Sequence, residues 1–203
     1  MRRIVLFLVA VMALSTTAWC LSQDAMVDLY TKRLISELTL SDQQTQEVRA
    51  ILNTQIGKLR AIALDKDTRP REKMQDIRTL TEKTTSEISG KLDDQQKQKL
   101  NDLAAPLLPQ FRLLQLDDRL NLSAEQVTQI DEILAANSMQ RLPQGERGSS
   151  NREDFRKQMQ ENREKMDTAI ENVLTDEQKE IYAKMRQEQQ EQMQQMRGGR
   201  KRF

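Results

Sequence analysis

Leu40-Ser41-Asp42-Gln43-Gln44 decides how this chain is read, because its pattern returns three times: Leu92-Asp93-Asp94-Gln95-Gln96, Leu122-Ser123-Ala124-Glu125-Gln126 and Leu174-Thr175-Asp176-Glu177-Gln178. Each copy is a leucine, a small oxygen-bearing residue, two variable residues and a glutamine. In physical terms this is a capping box. The small oxygen accepts a hydrogen bond from the backbone N–H three residues on, and the glutamine side chain reaches back to the cap residue's own N–H. The leucine stands where a hydrophobic staple stands, and at the third copy Val127 is its partner. Each copy predicts a helix start, with the cap worth about 1 kcal/mol. No nucleophile–base pair is built into the pattern, so its direct role is folding rather than catalysis.

The copies are also regularly placed. The first and third lie 82 residues apart, and so do the second and fourth. The same offset aligns residues 29–100 with 111–182 without a gap. Leu34 meets Leu116, Leu38 meets Leu120, Ile51 and Leu52 meet Ile133 and Leu134, and Ile88 meets Ile170. Fourteen of 72 positions are identical. A fixed period is the signature of an internal repeat. The chain therefore reads as two copies of one helical unit, 21–105 and 106–185, parted where Pro106 and Pro109 interrupt any helix. A Gln-rich helical extension and basic tail follow over 186–203.

Outward from each cap, apolar residues recur at spacings of three and four, the period of an amphipathic helix. Val48, Ile51, Leu52, Ile56, Leu59 and Ile62 predict a helix over 42–64. Met74, Ile77, Leu80, Thr84 and Ile88 predict a second that ends near Gly90, and Asp93 starts a third. In the second unit, 138–149 reads as a loop, with Pro143, Gly145 and Gly148. Ser150 and Glu153 form a further capping box, and Phe155, Met159, Met166, Ile170 and Val173 line one face of the following helix. A last helix starts at Asp176 and runs into the Gln-rich stretch 187–195. The fold expected is all-α: two tandem long antiparallel helical hairpins, each a thin layer with short flanking helices.

Composition agrees. Of 203 residues, 37% are apolar, 31% charged and 3% aromatic. Much of the apolar share sits in residues 1–20, so the remainder has a thin core and little of the aromatic material that sheets use. Opposite charges balance to +1, unlike a disordered acidic or basic tail. Residues 1–20 read as a secretory signal peptide. Arg2 and Arg3 precede an apolar run over 4–14, then small residues; cleavage fits after Ala18 or after Cys20. The apolar run is too short to span a bilayer core, so no stable membrane insertion is expected after cleavage. Cys20 is the only cysteine, and the large Trp19 before it argues against lipidation. The exported chain has no intramolecular disulfide and depends on helix packing. Losing the leader's two arginines leaves a net charge near −1, which does not suggest a nucleic-acid partner. Arg197, Arg200, Lys201 and Arg202 make only a local basic end.

These residues resemble a family. A signal peptide, an all-helical chain and paired Leu-Ser/Thr-x-x-Gln segments are similar to the LTxxQ group of periplasmic stress proteins, the Spy/CpxP type, over about residues 29–185. The matching positions are Leu40, Ser41 and Gln44, then Leu122, Ser123 and Gln126, then Leu174, Thr175 and Gln178. Leu92, Asp93 and Gln96 match with Asp in the Thr place. The resemblance implies a thin, curved helical cradle, usually paired as an antiparallel dimer. It implies an ATP-independent periplasmic chaperone for unfolded proteins in envelope stress, or a regulatory module that binds the periplasmic sensor domain of an envelope-stress kinase. Two departures stand out: this chain has two motif pairs where one is usual, and the 52-residue spacing within each unit is short. A tandem chain could build the pseudo-twofold cradle within one polypeptide, as a monomer with an internal pseudo-dimer, or still pair as a homodimer.

On the chaperone reading, Phe155, Arg156, Met159, Arg163 and Met166 are the candidate client contacts. Methionine is soft and adapts to many shapes, and the same stripe also suits packing against its own hairpin partner. No Gly-rich phosphate loop occurs, so no nucleotide cofactor is expected. With no histidine and an isolated Cys20, a zinc, nickel or cobalt site is disfavoured. Met185, Met193 and Met196 suit a helix stripe better than a Cu(I) site. Heptads break after a few turns, against a coiled-coil scaffold. Acid–base and covalent chemistry have no evident home, so a non-enzyme is expected.

Overall fold

The computed structural model describes residues 22–103, 106–139 and 152–199. Residues 1–21 with Cys20, residues 104–105, residues 140–151 with Ser150, and residues 200–203 lie outside the described residues, as do the side chains of Glu153, Phe155, Arg156, Met193, Met196 and Arg197. Every regular element described is a helix, and the fold is all-α. In order these are α1 (22–38), α2 (Asp42–Leu64), α3 (Pro70–Ser89), α4 (Asp94–Asp102), α5 (Phe111–Leu120), α6 (Ala124–Met139), α7 (Arg152–Val173) and α8 (Asp176–Gly199).

The helix starts carry the repeat. Asp42, Pro70 and Asp94 open α2, α3 and α4; Ala124, Arg152 and Asp176, each 82 residues on, open α6, α7 and α8. The backbone repeats a rarer feature as well. Among the described residues, the non-glycine residues with positive φ are Thr39 (φ 55°) and Asn121 (φ 50°), again 82 apart. Each ends a helix, with its N–H donating 2.9 Å to the carbonyl four residues back, at Ile35 and Asp117. The left-handed residue turns the chain sharply so that the next leucine and its capping box can begin a new helix. Asn adopts this conformation readily, whereas β-branched Thr does so at a cost of about 1 kcal/mol. Core positions correspond too: Leu34 and Leu116, Leu38 and Leu120, Leu52 and Leu134, Ile88 and Ile170, and Leu92 and Leu174 are all buried.

The chain divides into two compact units, one reaching Ala135 and the other starting at Ala136. This packing boundary differs from the repeat boundary at 105/106, because α5 and much of α6 are built into the first unit. There, α2 and α3 run antiparallel: Gln55 Nε2 donates to Glu87 Oε2 at 2.5 Å, and Lys91 pairs with Glu47 at 3.1 Å. α1 adds Met26, Val27, Tyr30, Leu34 and Leu38, and α5 adds Leu113, Leu114, Leu116 and Leu120. Burying one such side chain contributes about 1.5–3 kcal/mol. α1 is thus a full core helix rather than a short flanking one.

Met74 departs from the expected stripe and is 67% exposed. A helix turns about 100° per residue, which puts Met74 at the flank of the buried line formed by Leu80, Thr84 and Ile88. On that helix Thr81, Thr84 and Thr85 turn their hydroxyls back to the carbonyls of Ile77, Leu80 and Thr81, at 2.7–2.9 Å, and so satisfy themselves internally.

In the second unit α7 and α8 face each other antiparallel. Tyr182 meets Asp167, Arg186 meets Glu171, and Arg163 meets Gln189. Its described buried apolar residues are Ile170, Leu174 and Tyr182, all near the turn between the two helices.

Candidate functional site

All four motif copies close as capping boxes. Ser41 Oγ accepts from the Gln44 N–H at 3.2 Å, and Gln44 Oε1 accepts from the Ser41 N–H at 3.0 Å. Asp93 and Gln96 repeat this at 2.8 and 3.0 Å. Ser123 and Gln126 do so at 3.2 and 2.9 Å, and Thr175 and Gln178 at 3.3 and 3.0 Å. Leu92, Leu122 and Leu174 are buried beneath their caps, and Leu40 is half-buried. Val127, the staple partner of Leu122, is fully buried.

The first two boxes also join each other. Gln44 Nε2 donates to Gln96 Oε1 at 2.7 Å, and Gln96 Nε2 donates back to Gln44 Oε1 at 3.2 Å, which makes a cyclic amide pair. The spare N–H of Gln44 reaches the Lys91 carbonyl at 3.0 Å. Gln96 Nε2 also lies 3.2 and 3.3 Å from the carbonyls of Leu38 and Thr39. Gln96 is 8% exposed. The two glutamines therefore tie together the end of α1, the start of α2, the α3–α4 turn and the start of α4. A carboxylate could cap each helix but could not donate to these carbonyls. This gives a physical reason for glutamine in the fifth place, which the capping reading alone does not.

Two further polar clasps were not legible as motifs. In the first unit the Tyr30 phenol donates to Asp131 Oδ1 at 2.6 Å, and Arg33 donates to Asp131 Oδ2 at 2.7 Å. The Arg33 guanidinium stands 4.9 Å from the Tyr30 ring centre. Burial, reinforced by the Asp131 carboxylate, pushes the Tyr30 phenol far above its ordinary range and keeps it a donor. Burial opposes the charge on Arg33, but the bond and charge of Asp131 prevail and raise it. In the second unit Tyr182 donates to Asp167 Oδ1 at 2.8 Å, with Arg186 3.5 Å from Asp167 Oδ2. The two clasps share their chemistry but not their repeat positions.

A third buried cluster is the trio Ser22, Arg60 and Asp117. Arg60 pairs with Asp117, Ser22 Oγ donates to Asp117 Oδ2 at 2.8 Å, and Arg60 donates to Ser22 Oγ at 3.1 Å. All three are at most 5% exposed. Burial pushes the Asp117 carboxyl above its ordinary range, against the opposing pull of Arg60 and the Ser22 hydroxyl. Such a pair fixes how α1, α2 and α5 register, and losing either ion strands the other.

The candidate client contacts separate. Phe155 and Arg156 lie on α7, with side chains outside the described residues. Met159 is 51% exposed. Arg163 is half-buried and donates to Gln189 Oε1 at 2.6 Å, and Met166 is half-buried. The stripe is therefore mixed: Met166 and Ile170 turn inward, while Met159 stands open. A shallow, open depression on α7 is lined by Glu161, Glu164, Lys165, Thr168, Ala169 and Asn172. Among the described residues no cluster of His, Cys, Asp and Glu is arranged to hold a metal ion, and no helix is long and apolar enough to cross a membrane. Comparison with family models, curated proteins and solved structures returned no match to this chain.

Proposed function

We propose that the chain is an exported, non-enzymatic helical chaperone of the LTxxQ type. It holds unfolded or misfolded proteins in the periplasm without nucleotide and limits their aggregation during envelope stress. The observation that carries this reading is the Leu-Ser/Thr/Asp-x-x-Gln element itself. It occurs four times, as two pairs 82 residues apart, behind a leader-like N-terminus, and each copy is closed as a helix start. In support, two large apolar side chains stand open to solvent, Met74 and Met159. Isolated apolar groups among many charges suit weak, reversible contact with chains of varied sequence, and methionine adapts best of these. Met159 and its neighbours on α7 are the client contacts in this proposal.

The test is direct. Protein lacking residues 1–20 is mixed, without nucleotide, with a chemically unfolded client, and light scattering is followed. Suppression near stoichiometric ratio is expected, reduced several-fold in Met159→Asp. No suppression at several-fold molar excess refutes the chaperone reading. A single stoichiometric partner recovered in its place would identify a regulatory module for a sensor domain.

A further inference from the structure

The described methionines differ sharply in access. Met26 is fully buried and Met166 and Met185 are half-buried, whereas Met74 and Met159 are 67% and 51% exposed. No cysteine lies within 22–203, so a chain lacking residues 1–20 has no thiol to intercept an oxidant. Thioether oxidation follows exposure. Met159 also has a neighbour that changes the consequence. Arg163 lies one turn further along the same face of α7, held by its bond to Gln189.

We infer that Met159 is an oxidation site that switches off the client surface, with Met74 oxidised in parallel but without that effect. The inference rests on the chaperone reading. The oxidant is a peroxide. A sulfur lone pair attacks one peroxide oxygen, the S–O bond forms as the O–O bond breaks, and the transferred hydroxyl gives its proton to the leaving hydroxide, which departs as water. The sulfur loses two electrons and the peroxide gains them. The product replaces a flexible apolar side chain with a polar one whose oxygen is a strong acceptor. At this spacing an unused N–H of Arg163 can bond that oxygen, which occupies the cation as well as removing the apolar contact. Thioether chemistry is reversible by sulfoxide reductases, so the change is a switch rather than damage.

The experiment treats the leader-free chain with dilute hydrogen peroxide, maps added oxygen by peptide mass spectrometry, and repeats the client-aggregation assay on wild type, Met159→Leu and Met74→Leu. Leucine keeps the apolar surface and cannot be oxidised, and an exposed position tolerates it; far-UV circular dichroism checks each fold. Oxygen is expected on Met74 and Met159 well before Met26. Because Met159 is itself a proposed contact, each protein is read against its own untreated suppression: that ratio should fall several-fold in wild type and Met74→Leu, stay near one in Met159→Leu, and return after sulfoxide reductase treatment. Equal loss in Met159→Leu and wild type overturns the inference, as does oxidation of Met26 as fast as Met159. Untreated protein that never suppresses aggregation is a different result: it refutes the chaperone reading beneath, whereas suppression that oxidation leaves unmoved refutes the switch alone.

Discussion

Replacing Gln96 with glutamate separates the two roles of the motif glutamine. As a capping residue glutamate is as good as glutamine, since both reach back to the cap N–H. Its negative charge also favours a helix N-terminus by about 0.3–1 kcal/mol. If capping were the whole role, Gln96→Glu would be neutral or mildly stabilising. The amide pair predicts the reverse. Gln96 Nε2 donates toward Gln44 Oε1, the Leu38 carbonyl and the Thr39 carbonyl at 3.2–3.3 Å, and Gln96 is 8% exposed. An ionised carboxylate sets an acceptor against three acceptors. The bonds lost are worth about 0.5–1.5 kcal/mol each, the longer ones at the low end, and a buried unsatisfied group adds about 1–3 kcal/mol. A net loss of about 2–4 kcal/mol at neutral pH follows. The introduced carboxyl would titrate above its unfolded value, because protonation gives it back one donor. The penalty is therefore present above the folded pKa and fades as pH falls through it. Urea unfolding followed by far-UV circular dichroism, at neutral and mildly acid pH, measures both. Stability equal to or above wild type at neutral pH would falsify the amide clasp and leave capping alone.

Other substitutions probe the remaining joints. Arg60→Ala should cost about 3–5 kcal/mol by stranding the buried Asp117, whereas the paired replacement Arg60→Met with Asp117→Leu should cost far less, as read by denaturant midpoints. Because burial holds the Asp117 carboxyl above its ordinary value, that group stabilises the fold most fully below its unfolded pKa. The contribution is lost as pH rises through the folded pKa, so Asp117→Asn should flatten this part of the pH–stability profile. Tyr182→Phe removes the 2.8 Å bond to buried Asp167 and should cost about 1–3 kcal/mol. Hydrogen exchange should quicken on α7 and α8 while α2 and α3 stay protected; loss spread over the whole chain contradicts it. Thr39→Asn should stabilise by about 0.5–1 kcal/mol, since Asn accepts a φ of 55° that β-branched Thr resists; a loss of stability would mean the Thr39 side chain does more than occupy the turn.

The parts of this molecule written in local sequence were the parts that could be read from it. A capping box needs only residues three apart, and an amphipathic stripe only those three and four apart, so α2 came out of the sequence with its bounds at Asp42 and Leu64. The length of α1 was less legible. Its buried line of Met26, Tyr30, Leu34 and Leu38 is broken on the surface by Lys32, Arg33 and Ser36. The buried clasps were not legible at all. Tyr30 and Asp131 lie 101 residues apart, and Arg60 and Asp117 lie 57 apart. A charged residue in a chain that is 31% charged carries no mark of burial. The one available signal was scarcity: the sequence has only two tyrosines, Tyr30 and Tyr182, and each is buried on an aspartate. Met74 shows the converse: its spacing of three from Ile77 suits the stripe, but its angle about the helix puts it at the flank, where it is 67% exposed.

The repeat explains why so short a motif governs so long a chain. Between α1 and α2, and again between α5 and α6, the connection is a left-handed residue, a leucine and a cap, with no room to search. The left-handed residue stops one helix, the leucine anchors the corner in the core, and the box starts the next. In the first unit the partner box at Asp93 then returns α4 to this corner, where Gln96 bonds the very carbonyls that the stopped helix leaves free, at Leu38 and Thr39. Those carbonyls belong to the last turn of α1 and its left-handed end, the groups a helix cannot satisfy for itself. Glutamine thus does two things with one side chain: its oxygen opens α4, and its nitrogen closes α1. That coupling ties the ends of helices to one another rather than to a large apolar interior. It holds a defined corner in the first unit beside the buried Leu38 and Leu92.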